Sequence, residues 1–510
     1  MDRRTAIGQH FITGFEGTEL TPAFFSHVRK YKTGNVLLFR ENIADRAQLR
    51  RLCEDLTALI ESETGFPPFI TIDQEGGTVS RLGEDATVFP SAMALAATGD
   101  ATIVREAARI TGVELSAMGV NFDFAPVVDV NSNPKNPVIG VRSFGDDPAR
   151  VAEFGAAVIA GLRDGGVLGA LKHFPGHGDT LVDSHYGLPV IEKTLEELRR
   201  CELIPFQRAI DLGAPAVMTA HILFPRIEPG NLPATMSRRI ITELLRGEMG
   251  FEELIISDCM MMKAIASSIG TVPGTLAAFR AGVDMAIISH SEALTAEAIE
   301  AMEDAMDRGE WDEAAFRVSA ARIQRAKARL TRTRPELDAV GAKAHRELCA
   351  RIVGGAITLV NDAPFALGAR PAFIGCSRFR TTPVSNRESA PLCFAGELKD
   401  RIGGVALPVP QDPTEAEIRD VLEKCAGCSS VTVGTCNGIL HPGQLALVRA
   451  AAQLDLPVCC VAMRSPYDLA GLPAHMRSIA AYDYDRSTLA ALAEVLTGRR
   501  APKGTRPVRL

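Results

Sequence analysis

The chain has 510 residues, too many for a single hydrophobic core, so we expect two or more domains. Hydrophobic residues make up 46% and charged residues 23% of the sequence, an ordinary composition for a globular protein. The formal net charge of -7 and the lack of a basic stripe argue against a nucleic-acid partner.

Nothing in the sequence predicts a membrane or secretory segment. No run of about 18 apolar residues occurs, so we expect no membrane span and no membrane partner. The N-terminal segment is basic, but it lacks the apolar core and the cleavage site of a signal peptide. The expected location is therefore the cytoplasm.

The 11 cysteines are scattered through the chain. Cys425 and Cys428 have the spacing of a redox or zinc motif, but no second pair with this spacing lies nearby. Since thiols in a cytoplasmic chain are normally reduced, we interpret this pair as structural.

Short apolar runs alternate with helical segments through the first part of the chain. The runs are His10–Phe15, Asn35–Phe39, Pro68–Ile72, Val120–Phe124, Val167–Leu171, Pro215–Thr219, Leu254–Ile256 and Gly282–Ile288. Between them, Ala44–Glu63, Asp100–Met118 and Leu195–Leu212 carry apolar residues three and four positions apart, the spacing of a helix. This alternation, over roughly 300 residues, predicts a (β/α)8 barrel of the TIM type.

A second unit follows the barrel. Two amphipathic helices, Glu292–Arg308 and Asp312–Leu330, end at a polar run before Pro335. Six further strands are predicted at Ala356–Val360, Ala372–Cys376, Val405–Val409, Ser430–Thr435, Val458–Met463 and Ile479–Tyr482, with helices between several of them. We predict a catalytic barrel at 1–335, a linker at 336–347 and a smaller α/β domain with a mostly parallel sheet at 348–510.

Polar side chains follow the predicted barrel strands. They are Asp73, Asp123, Asp129, Lys172, His173, His221, Asp258 and His290. The carboxyl ends of parallel barrel strands form one face, so these residues are expected to converge on one site. The alternative is that individual members only cap the helices that follow.

The loop from Lys172 to His185 reads K-H-F-P-G-H-G-D-T-L-V-D-S-H and is unusually rich in titratable groups. Asp183 lies two residues before His185, so its carboxylate can fix the tautomer of the imidazole and raise its basicity. Asp258, from another strand, could serve as a nucleophile. A retaining glycosidase needs this division between a nucleophile and an acid/base.

A metal site is the competing interpretation of the same loop. Its candidate ligands for zinc or manganese are His173, His177, Asp179, Asp183 and His185. No metal-specific spacing such as HExxH is present, which weakens this alternative without removing it.

The loop resembles the signature of bacterial β-N-acetylglucosaminidases (β-N-acetylhexosaminidases) in glycoside hydrolase family three. Four further segments are similar to blocks of that family: Ile72–Gly77 with Arg81, Asn121–Pro126 with Asp129, Arg142–Gly145, and Ile255–Asp258. Thr78 and Cys259 depart from its pattern, at positions that carry no catalytic role.

The resemblance implies a role for each matching residue. Asp258 would be the nucleophile and His185 the acid/base, oriented by Asp183. Asp73 would bind sugar hydroxyls. The other residues that would line the sugar pocket are Arg81, Arg142, Lys172 and His173. No cofactor and no metal are implied.

The implied enzyme is a retaining exo-β-N-acetylglucosaminidase that acts on cell-wall-derived saccharides such as muropeptides. The alternatives are a β-glucosidase or a β-glycoside phosphorylase of the same family and, from another class, an inactive sugar-binding sensor. The C-terminal domain is expected to play a supporting role, although Cys436, Asn437, Gly438 and His441 could instead reach a ligand.

Overall fold

The computed structural model describes residues 2–183, 187–331, 333–380, 385 and 392–510. Within these ranges the first sheet has nine strands, and all of its neighbouring strands are parallel. The strands are β1 (Phe11–Thr13), β2 (Asn35–Leu38), β3 (Phe69–Ile72), β4 (Phe122–Asp123), β5 (Leu168–Gly169), β6 (Leu171–Phe174), β7 (Ala216–Thr219), β8 (Leu254–Cys259) and β9 (Met285–Ile288).

The sheet closes into a barrel at Ala170. The strand order is β5-β4-β3-β2-β1-β9-β8-β7-β6, so β5 and β6 lie at its two ends. Only Ala170 separates these two strands in the chain, and its N–H donates to the carbonyls of Asp123 and Ala125 at 3.1 and 3.0 Å. β5 and β6 are therefore two parts of one barrel strand, and the predicted (β/α)8 barrel is confirmed.

Helices surround the barrel. They span Arg3–Gly8, Pro22–Tyr31, Arg46–Thr64, Ala92–Ala97, Ala101–Met118, Pro148–Asp164, Leu195–Arg200, Leu203–Asp211, Arg239–Glu248, Lys263–Ala266, Thr271–Ala281, Glu292–Asp307 and Glu313–Ala328. Aspartates at 45, 100 and 147 cap three of them by accepting backbone N–H groups. The helix predicted over Leu195–Leu212 is interrupted at Cys201, beside the buried Glu202, whose carboxylate pairs with Lys193 at 2.5 Å.

The second sheet contains six strands in the described part of the chain. They are β10 (Thr358–Asn361), β11 (Pro371–Gly375), β12 (Val405–Pro408), β13 (Ser430–Thr435), β14 (Val458–Ala462) and β15 (Arg477–Ala480). Their order is β10-β15-β14-β13-β11-β12, and β10 pairs antiparallel with β15 while the other pairs are parallel. The helices of this unit are Lys343–Ala356, Phe394–Ile402, Glu415–Glu423, Pro442–Ala451 and Arg486–Leu496. The predicted smaller α/β unit is thus confirmed as a fold.

The predicted boundary region contains regular structure. A short 3-10 turn at Leu337–Ala339 and the first residues of helix Lys343–Ala356 fall within 336–347. We keep the division into 1–335, 336–347 and 348–510 as a proposal. The helix Lys343–Ala356 spans the boundary between its second and third parts.

No helix that the structure describes is long and apolar enough to cross a membrane. The described residues include all 11 cysteines, and each of these is a free thiol. Burial raises the pKa of Cys425 to about 11, which keeps this thiol protonated and agrees with a structural interpretation of the pair.

The C-terminal unit contacts the loop that follows β3. The carboxylate of Asp483 accepts the N–H of Ser91 at 3.0 Å, and the Ser91 hydroxyl donates to the carbonyl of Tyr482 at 2.9 Å. Gly77 permits this approach, because a Cβ atom there would lie 2.7 Å from the Asp483 carboxylate. A second contact joins helix Lys343–Ala356 to the barrel helix Ala101–Met118, where His345 Nδ1 lies 2.8 Å from the buried carboxylate of Glu114.

The buried Asp483 predicts a pH dependence of stability. Burial and the neighbouring Asp485 charge raise the pKa of Asp483 to about 6. The folded protein then holds this proton more tightly than the unfolded chain, so the contribution of Asp483 is full below about pH 4 and is lost as pH rises through 6. The wild type should therefore lose stability between pH 4 and pH 7 relative to Asp483→Asn, which lacks this titrating group. We expect the difference in Tm, variant minus wild type, to increase over this range.

Thermal melts at half-unit pH steps test this expectation. The exposed Asp455→Asn serves as the matched control and should follow the wild type at every pH. A Tm difference for Asp483→Asn that stays flat over this range would contradict it.

Candidate active site

A cleft of about 1910 Å³ lies at the carboxyl ends of the barrel strands, between the barrel and the C-terminal unit. The sequence-predicted residues that line it are Asp73, Arg81, Arg142, Lys172, His173, His177, Asp258 and His290. They come from positions at or just after the ends of β3, β6, β8 and β9 and from the loops after β3, β4 and β6. Residues that are far apart in the chain are thus brought to one face of the barrel, as the strand-end pattern predicts.

A buried ion-pair network forms one wall of the cleft. The ammonium group of Lys172 lies between two carboxylates, 2.8 Å from Asp73 Oδ1 and 2.7 Å from Glu75 Oε1. Arg142 donates two hydrogen bonds to the Glu75 carboxylate, both 2.8 Å long. Arg81 Nη2 lies 3.7 Å from Asp73 Oδ2. The network, which we call the Lys172 network, fixes the orientation of Asp73 toward the cleft.

Ion pairing keeps Glu75 and Lys172 of this network charged although both are buried. Burial alone would raise the pKa of Glu75, but the positive charges of Arg142 and Lys172 outweigh it and hold that pKa well below its usual range. Burial would likewise lower the pKa of Lys172, yet Asp73 and Glu75 raise it above its usual value. Glu75 is therefore anionic and Lys172 cationic throughout the physiological pH range.

Glu75 was given no role from the sequence, although it lies only two residues after Asp73 in a segment recognised as a family block. The signal that was available is its position at the end of a buried strand, beside a residue already assigned to the site. Its two hydrogen bonds to Arg142 show that Glu75 is the carboxylate with which Arg142 pairs directly.

Asp123 supports the network from behind. It is fully buried, and its Oδ1 accepts the N–H of Gln74 at 2.8 Å. Burial raises the pKa of Asp123 well above its usual value, which favours the protonated form of this carboxyl group. The Gln74 side chain in turn accepts the N–H of Arg81 at 2.9 Å, which fixes the loop carrying both Glu75 and Arg81.

Asp129 organises the start of the loop after β6. Its Oδ2 lies 2.7 Å from His173 Nδ1, and its Oδ1 accepts the N–H of His177 at 2.7 Å. The pKa of His177 falls to about 4, mainly through burial and also through the neighbouring His173. His177 is thus a neutral residue whose Nδ1 contacts Thr180 Oγ1 at 2.8 Å, and it serves to shape the loop.

Asp258 lies near the end of β8 and is half-buried. Its Oδ1 accepts the N–H of Cys259 at 2.7 Å, which orients the carboxylate. His221, another strand-end residue, contacts the Cys259 carbonyl through Nε2 at 3.0 Å. His221 therefore supports the backbone next to Asp258.

Only one member of the predicted acid/base pair, Asp183, lies within the described residues. Asp183 is buried, and its carbonyl accepts the N–H of Gly187 at 3.1 Å. His185 lies outside the described residues, so the predicted contact between Asp183 and His185 stays a prediction.

The residues considered as metal ligands have other partners. His173 and His177 contact Asp129 and Thr180, while Asp179 pairs with Lys193 at 3.0 Å. Over the described ranges, which leave out His185, no group of three or more His, Cys, Asp or Glu side chains is arranged to hold a metal ion.

The C-terminal unit contributes to the same cleft, which the sequence did not predict. Its lining residues include Arg378, which follows β11, Arg464, which follows β14, and Asp483 and Tyr484, which follow β15. His441 Nε2 lies 2.9 Å from Gln411 Nε2, and its ring packs against Phe379, while a ligand contact of His441 stays a prediction. The orientation of one domain on another is not encoded in local patterns, so this contribution had no sequence signal.

Fold and cleft together define a barrel-type enzyme whose site lies at the carboxyl-end face. Residues 17–326 match the Glycosyl hydrolase family 3 N terminal domain. The beta-hexosaminidase A of Pseudoalteromonas piscicida is 37% identical over 376 residues, which are 68% of this chain and 62% of that relative, less than two thirds of its length. The beta-hexosaminidase of Stenotrophomonas maltophilia (strain K279a) is 38% identical over 298 residues, or 57% of this chain and 86% of the relative.

A solved structure gives the same result for the whole chain. A glycoside hydrolase family 3 beta-N-acetylglucosaminidase from Paenibacillus sp. str. FPU-7 has a TM-score of 0.92 and 36% identity, and the match covers 100% of this chain and 99% of that one. The chain therefore belongs to glycosyl hydrolase family 3, and the family resemblance of its motifs is confirmed.

Glu75 offers a direct test of the network. Glu75→Gln leaves Lys172 and Arg142 buried with one carboxylate fewer, so we expect a loss of about 3 kcal/mol in the free energy of unfolding. The pKa of Glu75 is depressed, so the stability it contributes is present above the usual pKa of a glutamate and is lost only at strongly acidic pH. Denaturant melts should therefore give the same loss at pH 5 and at pH 8.

Glu310→Gln is the matched control, because it removes an exposed carboxylate that pairs with Arg308 at the surface. The unfolding curve of this variant should match that of the wild type. If Glu75→Gln also matched the wild type, the network would not be a stabilising element.

Gly178 tests whether the loop after β6 must stay close to the barrel. A Cβ atom at this position would lie 1.7 Å from the carbonyl oxygen of Val130, so Gly178→Ala must displace the loop that carries Asp183. We expect kcat to fall about a hundredfold, because displacements near 1 Å have effects of that size. Gly187→Ala is the control in the same loop, since its Cβ would meet Val182 only at 3.6 Å.

The measurement is kcat for steady-state hydrolysis of a glycoside substrate by the wild type and both variants. The Tm of each variant checks that it is folded. Equal rates for Gly178→Ala and Gly187→Ala would show that the close approach of the loop to Val130 has no functional consequence.

Proposed function

We propose that this protein is a retaining exo-β-N-acetylglucosaminidase that removes terminal β-linked N-acetylglucosamine from cell-wall-derived saccharides. The observation that carries the proposal is that Asp258 lines the same cleft as the Lys172 network. A half-buried carboxylate beside a polar wall of fixed charges is what attack on a bound sugar requires. The family membership and the named relatives support this assignment.

The reaction takes two steps. Asp258 attacks the anomeric carbon and forms a covalent glycosyl ester while the bond to the leaving oxygen breaks. His185, oriented by Asp183, protonates that oxygen as it leaves. The same histidine then takes a proton from water, which attacks the anomeric carbon and releases the sugar and the Asp258 carboxylate. The configuration is retained because the carbon is inverted twice.

The Lys172 network binds the sugar. Asp73 accepts hydrogen bonds from sugar hydroxyls, and Lys172 and Arg81 hold its carboxylate in place. His173, fixed by Asp129, completes the pocket, and Arg142 positions Glu75. The charges are in place before substrate arrives, so little reorganisation is needed on binding.

The wider proposal concerns the setting of the enzyme. The substrates are small saccharides such as recycled muropeptides with a terminal N-acetylglucosamine, and the site of action is the cytoplasm. The reaction uses no cofactor and no metal, because a His–Asp pair and a carboxylate supply all of its proton and group transfers.

Hydrolysis of an aryl β-N-acetylglucosaminide tests the assignment. The wild type, Asp258→Asn and His185→Ala are compared, each with and without phosphate and with EDTA. We expect turnover to fall about a thousandfold or more in Asp258→Asn, and roughly a hundredfold to ten-thousandfold in His185→Ala. EDTA should have no effect.

Other outcomes identify the alternatives. Faster turnover in phosphate with a sugar phosphate product would show a phosphorylase, and loss of activity in EDTA would show a metal enzyme. Turnover of the corresponding aryl β-glucoside, with no turnover of the N-acetylglucosaminide, would show a β-glucosidase. Binding without any turnover would show a sugar sensor.

A further inference from the structure

The loop after β4, residues 124–147, contacts the C-terminal unit on one side and the loop after β6 on the other. Two of its members are already placed at the site. Asp129 fixes His173, and Arg142 pairs with Glu75. Whatever holds this loop in place therefore affects the geometry of the cleft.

A segment of the C-terminal unit, residues 505–510, crosses to the barrel, and we call it the tail. The N–H of Arg509 donates to Asp146 Oδ2 at 2.9 Å, and the N–H of Asp146 donates to the carbonyl of Pro507 at 3.4 Å. That carbonyl lies so close to Gly145 that a Cβ atom there would be 2.3 Å from its oxygen. The tail therefore pairs with the end of the loop after β4.

Burial of one side chain also attaches the tail to the barrel. Val508 is 4% exposed and belongs to one hydrophobic cluster with Val141 and Ala97. Nearby, the N–H of Thr505 donates to the carbonyl of Ala97 at 2.8 Å. Leu510 is 39% exposed, so its side chain lies largely outside this contact. Within the tail, Val508 is thus the apolar anchor.

Tyr467 makes a second contact between the C-terminal unit and the same loop. It is a buried residue of the 3-10 turn Pro466–Leu469, which follows β14. Asn131 Nδ2 donates to the Tyr467 hydroxyl oxygen at 3.2 Å, and that hydroxyl donates to the Asn131 carbonyl at 3.4 Å. The N–H of Asn131 donates in turn to the carbonyl of Gly145 at 2.9 Å. The contacts of Tyr467 and of the tail therefore meet at the base of the loop.

The other side of the loop after β4 contacts the loop after β6 at three points within the described residues. Asp129 Oδ1 accepts the N–H of His177 at 2.7 Å. Asn136 Nδ2 donates to the His177 carbonyl at 2.8 Å and to Thr180 Oγ1 at 3.2 Å. The third point is the close approach of the Val130 carbonyl described above. These contacts determine where the loop after β6 leaves the barrel.

Ser143 joins the two sides. Its hydroxyl donates to the carbonyl of Asp129 at 2.6 Å and accepts the N–H of Gly145 at 3.1 Å. Gly145 is the residue against which the Pro507 carbonyl lies. A contiguous series of contacts thus runs from the tail to Asp129, the kind of path along which a displacement at one site reaches another.

We propose that Tyr467 and Val508 are positioning residues, which hold the loop after β6 where proton transfer to the leaving group requires it by fixing the loop after β4. Proton transfer needs its partners within hydrogen-bond reach, so a small displacement of this loop weakens it. The inference rests on the proposed function, since it takes the loop after β6 as the carrier of the acid/base. It gives the C-terminal unit a part in the chemical step.

The dependence of the rate on the leaving group separates this role from a general loss of stability. The substrates are phenyl and 2,4-dinitrophenyl β-N-acetylglucosaminide. Phenolate is basic and needs a proton as it leaves, whereas dinitrophenolate leaves with little help from an acid. We expect Val508→Asp and Tyr467→Phe each to raise the ratio of kcat/KM, dinitrophenyl over phenyl, about tenfold, which is part of the roughly hundredfold to ten-thousandfold effect of a positioned acid.

Each variant has a matched control. Leu510→Asp places the same charge at an exposed position of the tail, and Tyr31→Phe removes a hydroxyl that donates to Glu300 at the surface. Both controls should keep the wild-type ratio. The Tm of every variant checks that it is folded. Tyr467→Phe removes a single oxygen atom, so it tests the inference even if Val508→Asp does not fold.

A wild-type ratio in folded Tyr467→Phe and in folded Val508→Asp would overturn the inference. This includes an equal loss of kcat/KM for both glycosides, because such a loss shows a role in stability alone. Failure of the proposed function looks different. In that case His185→Ala would leave the ratio at its wild-type value, or the wild type would hydrolyse neither glycoside.

Discussion

The contact between Lys172 and the two carboxylates of Asp73 and Glu75 is the interaction on which the site depends. It joins β6 to the end of β3 through a side chain that is almost completely buried. A buried ammonium group is costly unless it is paired, so these three residues and Arg142 must be placed together. That requirement sets the positions of the loops after β3 and β4, and with them one wall of the cleft.

The second domain completes what the barrel begins. Asp483 reaches across to Ser91 at the base of the loop that carries Glu75 and Arg81, and Gly77 leaves room for it. The domain contact and the ion-pair network therefore act on the same loop. Side chains of both domains line the cleft, so the second domain takes part in shaping the site.

Much of the fold follows from the sequence because its signals are local. The apolar runs at Asn35–Phe39 and Pro68–Ile72 lie within a residue of β2 and β3, and most of the polar residues that follow such runs line one cleft. The helix Phe394–Ile402 was not predicted, and the helix expected over Leu195–Leu212 is broken where Glu202 turns inward to Lys193. Glu75 and the second-domain residues that line the cleft were missed because their positions in the site depend on partners far away in the chain.

The central claim is that Asp258 attacks the sugar directly. Trapping the covalent intermediate with a slow fluorinated N-acetylglucosaminyl donor, followed by peptide mass mapping, tests this claim most directly. The account predicts one added sugar residue on the peptide that contains Asp258, and no such addition in Asp258→Asn. A sugar attached to another residue, or turnover with inversion and no trapped intermediate, would contradict it.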